Sequence, residues 1–157
     1  MRFTIAAIGR SGGGRGKGAE ARALFEAYAG RLASPLALKY CEEKRKLPPA
    51  ERKRREAELL LKLVPKGALV AALDEKGKAF ASADFASLVG TWRGRGERDI
   101  CFLVGGADGL DDSVLKRAGL VLSLGPMTWP HLLVPALLAE QLYRAESILA
   151  GHPYHRE

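Results

Sequence analysis

Three short runs constrain this chain more than anything else in it: Ala68 to Leu73, Ile100 to Val104 and Leu120 to Leu124 are apolar almost throughout. A strand with one wet face alternates apolar and polar side chains. A strand covered on both faces does not. Each run is followed by a segment with helical character, so strand and helix alternate along the chain. That order predicts an α/β fold, Rossmann-like, with a mostly parallel sheet and helices on both faces. The 157 residues, 47% of them apolar, suit a single domain over 1–157 with a substantial core.

The remaining elements follow from punctuation. A first strand is expected over residues 2–8, then a glycine-rich loop over 10–18 and a helix over 19–33 stopped by Pro35. Leu36 to Cys41 reads as a strand, and Pro48-Pro49 can open a helix running through 50–63. The strand ending at Leu73 leads into a turn, Asp74 to Lys78. Ser82 is placed to cap a helix reaching about Trp92. Asp111, Asp112 or Ser113 can cap a short helix carrying Val114, Leu115 and Ala118.

The last helix is apolar around most of its circumference, from Leu132 and Leu133 through Leu138, Leu142 and Leu149. One stripe is enough to cover a sheet, so this distribution asks for burial on more than one side. In so small a protein a symmetric dimer is the expected source of the second covering surface, with a central position within one subunit the alternative. Pro135 cannot donate a backbone hydrogen bond, so the helix either begins near Leu133 or bends there.

A formal charge of +7 favours an anionic partner, with nucleic acid the first candidate. The basic residues fall into tracts: Arg10, Arg15 and Lys17; Lys44 to Lys46 with Arg52 to Arg55; and Arg93, Arg95 and Arg98. Glutamates at 42, 43, 51, 56 and 58 temper the second. Two cysteines, Cys41 and Cys101, make no disulfide framework and read as buried small hydrophobes. No run is long enough to span a membrane, and the opening apolar patch is too short for a signal peptide, so a cytoplasmic location is expected.

Chemistry is expected at strand ends, where parallel sheets hold small ligands. Two glycine-containing turns qualify: Gly105 to Gly109 after one strand, and Gly125 to His131 after the next. With the turn after Leu73 they make three strand ends that could converge. The Gly14 to Ala19 run formally matches a dinucleotide fingerprint, but no acidic residue ends a suitable second strand. His152 and His155 lack an obvious third partner for zinc, so no metal site is expected.

At these residues the chain closely resembles the bacterial ribosomal RNA large subunit methyltransferase H family. The likeness is carried by LDEKGK at 73–78, FLVGGADGL at 102–110, LSLGPMTWPH at 122–131, EQLYRA at 140–145 and HPYHRE at 152–157. Members are SPOUT-class enzymes that methylate N3 of a pseudouridine in helix 69 of 23S rRNA. The resemblance, not periodicity, implies a carboxyl-terminal trefoil knot and a homodimer acting on rRNA; a small basic domain is expected to need the surrounding ribosome for specificity.

It also implies S-adenosylmethionine as cofactor, held by Leu73, Gly106 and the stretch Gly125, Pro126, Met127, Thr128, Trp129 and Pro130, with Gly105 supporting its turn. Tyr154, His155 and Arg156 would face the substrate, beside the partner subunit's cofactor. His155 is a candidate proton acceptor; Arg156 or Arg144 could stabilise a uracil-like anion. Pro135 departs from the arginine usual in the family. The rival readings are a non-catalytic ribosome-associated RNA-binding module and an α/β enzyme with another adenine-containing cofactor.

Overall fold

The computed structural model describes residues 1–10 and 18–156, with side chains through Tyr154. Its five strands are β1 (Arg2–Ile8), β2 (Leu36–Cys41), β3 (Leu69–Ala79), β4 (Asp99–Val104) and β5 (Leu120–Ser123). Between and after them run α1 (Ala19–Ala29), α2 (Pro49–Lys62), α3 (Ser82–Gly94), α4 (Asp112–Arg117) and α5 (Val134–Leu149). A short 3-10 helix, Pro153–Arg156, follows α5. The strands form one sheet in the order β2-β1-β4-β3-β5, and every pairing is parallel.

Two hydrophobic layers explain why the central strands lack polar alternation. On one face Phe3, Ile5, Ile100 and Phe102 pack against Phe25 of α1, Trp92 of α3 and Leu138 and Leu142 of α5. On the other, Ala6, Val70, Cys101 and Leu103 pack against Leu60 of α2 and Val114 of α4. Each residue of β4 from Ile100 onward is therefore buried, whichever face it serves. Phe102 sits at the centre, its ring 6.2 Å from Phe3 and 6.3 Å from Trp92. Burying a side chain of that size contributes roughly 1.5–3 kcal/mol.

Helix α5 runs between α1 and α3. Its broad apolar circumference is thus largely covered inside one subunit. Pro135 lies in the first turn and is fully buried, where its missing N–H costs no helical bond. The helix begins there rather than bending.

Some expectations need correction. Ser82 opens α3 without capping it; its hydroxyl donates instead to Gln141 Oε1 at 3.0 Å. Asp111 does cap α4, accepting from the Ser113 N–H at 2.9 Å. Helix α1 stops at Ala29, short of residue 33. Cys101 is buried, but Cys41, at the outer end of β2, is only partly so. The loop expected over 10–18 falls mostly outside the described residues.

The main difference concerns β3. It does not end at Leu73 but continues to Ala79, and Leu122 of β5 pairs with both Leu73 and Lys78. Residues 74–77 form an excursion between those two pairings. Gly77 closes it, lying directly against the backbone of Val121 and Leu122. No described helix is long and apolar enough to cross a membrane.

Candidate active site

The excursion of β3 after Leu73 and the turns that follow β4 and β5 converge. Leu73, Gly105 to Leu110, and Gly125 with Met127, Thr128 and Trp129 line one cavity of about 720 Å³, within the roughly 300–1,000 Å³ usual for small ligands. Pro126 and Pro130 belong to the same segment but do not line it. His131, the last residue of the second expected turn, joins the wall, as do Lys53 of α2 and Val134, which local sequence does not mark.

Glycines make the walls thin. A Cβ on Gly105 would stand 2.8 Å from the Gly109 carbonyl carbon, so only glycine lets this turn fold back on itself. The Gly109 N–H closes the turn by donating to the Gly106 carbonyl at 3.1 Å. Arg52 ties the turn to α2, donating to Asp108 Oδ2 at 3.2 Å and to the Leu47 carbonyl at 2.9 Å. In the second turn the Gly125 N–H donates to Ser123 Oγ at 3.1 Å.

The charge of the cavity is informative in a protein that is basic overall. Asp74, Glu75, Asp108 and Asp112 line it against Lys53 and Lys76. With Asp108 paired to Arg52, three carboxylates remain against two ammonium groups, a modest balance in favour of a ligand carrying positive charge. A sulfonium nucleoside fits this site: the volume suffices, exposed backbone edges can meet an adenine, and the lining is acidic.

A second cavity, about 650 Å³, lies beside the same segment: Gly125 and Trp129 line both. Its walls include Tyr28, Phe80, Glu140, Gln141, Arg144 and Tyr154. Glu140 organises the polar end. Its Oε1 accepts from Arg144 Nη2 at 2.6 Å and from the Tyr154 hydroxyl at 3.1 Å. The Arg144 guanidinium sits 4.8 Å from the centre of the Tyr154 ring, and Tyr143 meets that ring edge-on at 4.6 Å. Burial first, then hydrogen bonds to Tyr28 and Glu140, push the Tyr154 phenol above its ordinary range. Tyr154 therefore stays protonated near neutral pH and serves as a donor rather than a base.

Sequence reading singled out Arg144 and Tyr154 but missed Glu140, although Glu140 and Arg144 stand four residues apart on one helix face. The structure brings these three together. The side chains of His155 and Arg156 lie outside those described, as do Arg15 and Lys17 of the first basic tract. In the second tract Lys53 and Arg54 face Asp111 beside the first cavity, while Arg45 and Arg55 pair with Glu43 and Glu58.

Comparison with known proteins places the chain in a family. A family described as predicted SPOUT methyltransferases matches residues 1–155. A Rhodospirillum centenum protein named ribosomal RNA large subunit methyltransferase H is 54% identical over 156 residues, covering 99% of both chains. One of the same name from Paramagnetospirillum magneticum is 55% identical, with equal coverage. Among solved structures, a probable methylase family protein from Haemophilus influenzae shares the fold, with a TM-score of 0.55 at 14% identity. That match covers 97% of this chain and 69% of the other. By this kinship along its whole length, the chain belongs to the ribosomal RNA large subunit methyltransferase H family of SPOUT methyltransferases.

Proposed function

We propose that this protein is an S-adenosylmethionine-dependent methyltransferase acting on N3 of a pseudouridine in helix 69 of 23S rRNA. The observation that carries the reading is the convergence of two strand-end turns and the β3 excursion on one acidic, glycine-walled cavity in a chain of this family. Leu73, Gly105, Gly106, Gly125, Met127, Thr128 and Trp129 would hold the cofactor, with Pro126 and Pro130 fixing the course of the second turn. The cofactor, when bound, supplies a methyl group already activated as a sulfonium, so no metal is needed.

The chain's own task is alignment and proton management. The second cavity receives the target base, next to the wall it shares with the first. Tyr154, whose hydroxyl donates to Glu140, offers the base its ring for stacking, held in place by Arg144 and Tyr143. His155 accepts the N3 proton, and Arg144 and Arg156 stabilise the anionic ring. Lys53, on the wall of the first cavity, and its neighbour Arg54 meet the phosphate backbone. The chain acts as one domain over 1–157. It works as a homodimer, in which the exposed Met127 and Trp129 and the carboxyl-terminal tail meet a second copy. The assembled ribosome is the substrate, because a small basic domain gains its specificity from the surrounding surface.

Incubation with labelled S-adenosylmethionine and either ribosomes or free 23S rRNA tests this, followed by mass mapping of the modified nucleotide. Label on the helix 69 pseudouridine, from ribosomes only, is the expected result. Label on another nucleotide would overturn the substrate, and no label anywhere would overturn the activity.

A further inference from the structure

Among the described residues one buried side-chain oxygen has no hydrogen-bond partner, and it stands behind the cofactor turn. Glu56, on α2, is only 7% exposed, and its Oε2 is unpartnered. A Cβ built on Gly106 would lie 3.1 Å from that oxygen, 3.4 Å from Glu56 Oε1 and 3.1 Å from Ile8 Cγ2. Gly106 lines the first cavity and Glu56 does not. One glycine backbone is therefore all that separates the carboxyl group from the ligand space.

The charges around Glu56 leave it under-compensated. Arg52, on the same helix, already serves Asp108 and the Leu47 carbonyl. Asp108 in the turn and Glu43 before α2 repel it, and the Cys41 thiol of β2 is its other titratable neighbour. Burial and the nearby Asp108 charge raise its pKa from the ordinary value, and Arg52, the one cation that favours the anion, offsets them only in part. Buried polar groups left unpaired are costly and call for an explanation.

We propose that Glu56 is a positioning residue that lets the site prefer its cationic cofactor over the neutral-sulfur product. Its carboxylate, one glycine thickness behind the cavity, attracts a sulfonium and has no such attraction for a thioether. Methyl transfer moves the methyl from sulfur to N3, leaves its bonding electron pair on sulfur and discharges the sulfonium; the N3 proton departs to the base. The attraction is lost with that step, and release of S-adenosylhomocysteine is favoured. Glycine at 106 is required for the same reason, since any side chain would press on the carboxylate.

This rests on the cofactor reading given above. The test is calorimetric binding of S-adenosylmethionine, S-adenosylhomocysteine and the amine-bearing analogue sinefungin to the wild-type chain and to Glu56→Gln, at one pH. The expected result is a loss of roughly five- to thirtyfold in affinity for the two cations, the range a Coulomb attraction across such a wall supplies. Affinity for S-adenosylhomocysteine should stay within about twofold of wild type, since an uncharged sulfur gains nothing from the carboxylate. Equal losses for all three ligands would reduce Glu56 to a structural prop and overturn the proposal. Unchanged affinities would overturn it as well. If the wild-type chain bound none of the three, the cofactor reading itself would fall. Glu56→Asp, which draws the charge back from the turn, should shift the same ratio by less and replaces the glutamine variant if that one does not fold.

Discussion

Gly77 and Leu122 touch backbone to backbone: a Cβ on Gly77 would stand 2.7 Å from the Leu122 carbonyl carbon and 2.8 Å from its nitrogen. This is where the far half of β3 crosses β5, between the two pairings that Leu122 makes. The contact fixes the excursion at 74–77, which forms one wall of the acidic cavity. Neither neighbour is a flexible side chain, so nothing there can move aside cheaply.

Gly77→Ala should therefore destabilise the fold by about 1–3 kcal/mol, as overpacking does. Urea unfolding monitored by tryptophan fluorescence would measure it. Binding of S-adenosylmethionine should weaken with it, because Leu73, Asp74 and Glu75 move with the crossing. A fully stable variant with unchanged binding would contradict the tight crossing.

Glu146 pins α5 to its neighbours from a buried position. Its Oε2 accepts the Ala33 N–H at 2.8 Å and the Ser34 N–H at 3.3 Å; its Oε1 accepts Arg93 Nη2 at 3.2 Å. Arg93 is half exposed and adds little. Glu146→Ala strands two backbone donors and should cost about 2–4 kcal/mol, whereas Glu146→Gln, which keeps an acceptor, should cost about 1 kcal/mol. Thermal unfolding of both variants would show the order; equal losses would point to the charge instead of the acceptor.

Glu56 should leave a pH signature in stability. Its pKa in the folded chain is raised above the ordinary 4.5. Between those two values the folded state holds a proton that the unfolded state has released. The contribution to stability is therefore complete below about 4.5 and is lost as pH rises through the folded value. Denaturant titrations from pH 4 upward should show that decline in wild type and a flatter profile in Glu56→Gln. Parallel profiles would mean that the carboxyl group titrates as it does in the unfolded chain.

Local burial was readable from the chain because it repeats over short distances. Val70, Ile100, Phe102 and Leu103 announced strands covered on both faces, and the two layers observed are the reason. Asp111 announced a helix start because the capping hydrogen bond reaches only two residues ahead. The glycines at 105, 106 and 125 marked tight turns after strands, and family motifs tied those turns to a cofactor. Strand order, the crossing at Gly77 and the seating of α5 between α1 and α3 were beyond such signals. Each depends on contacts between segments far apart in the chain, and a residue's local pattern carries no record of which distant surface will cover it. Glu56 shows the difference most plainly: in the sequence it is one more glutamate in a charged helix. Folding carries it 50 positions along the chain to the back of Gly106 and strips away its water, and only there does its charge face a ligand.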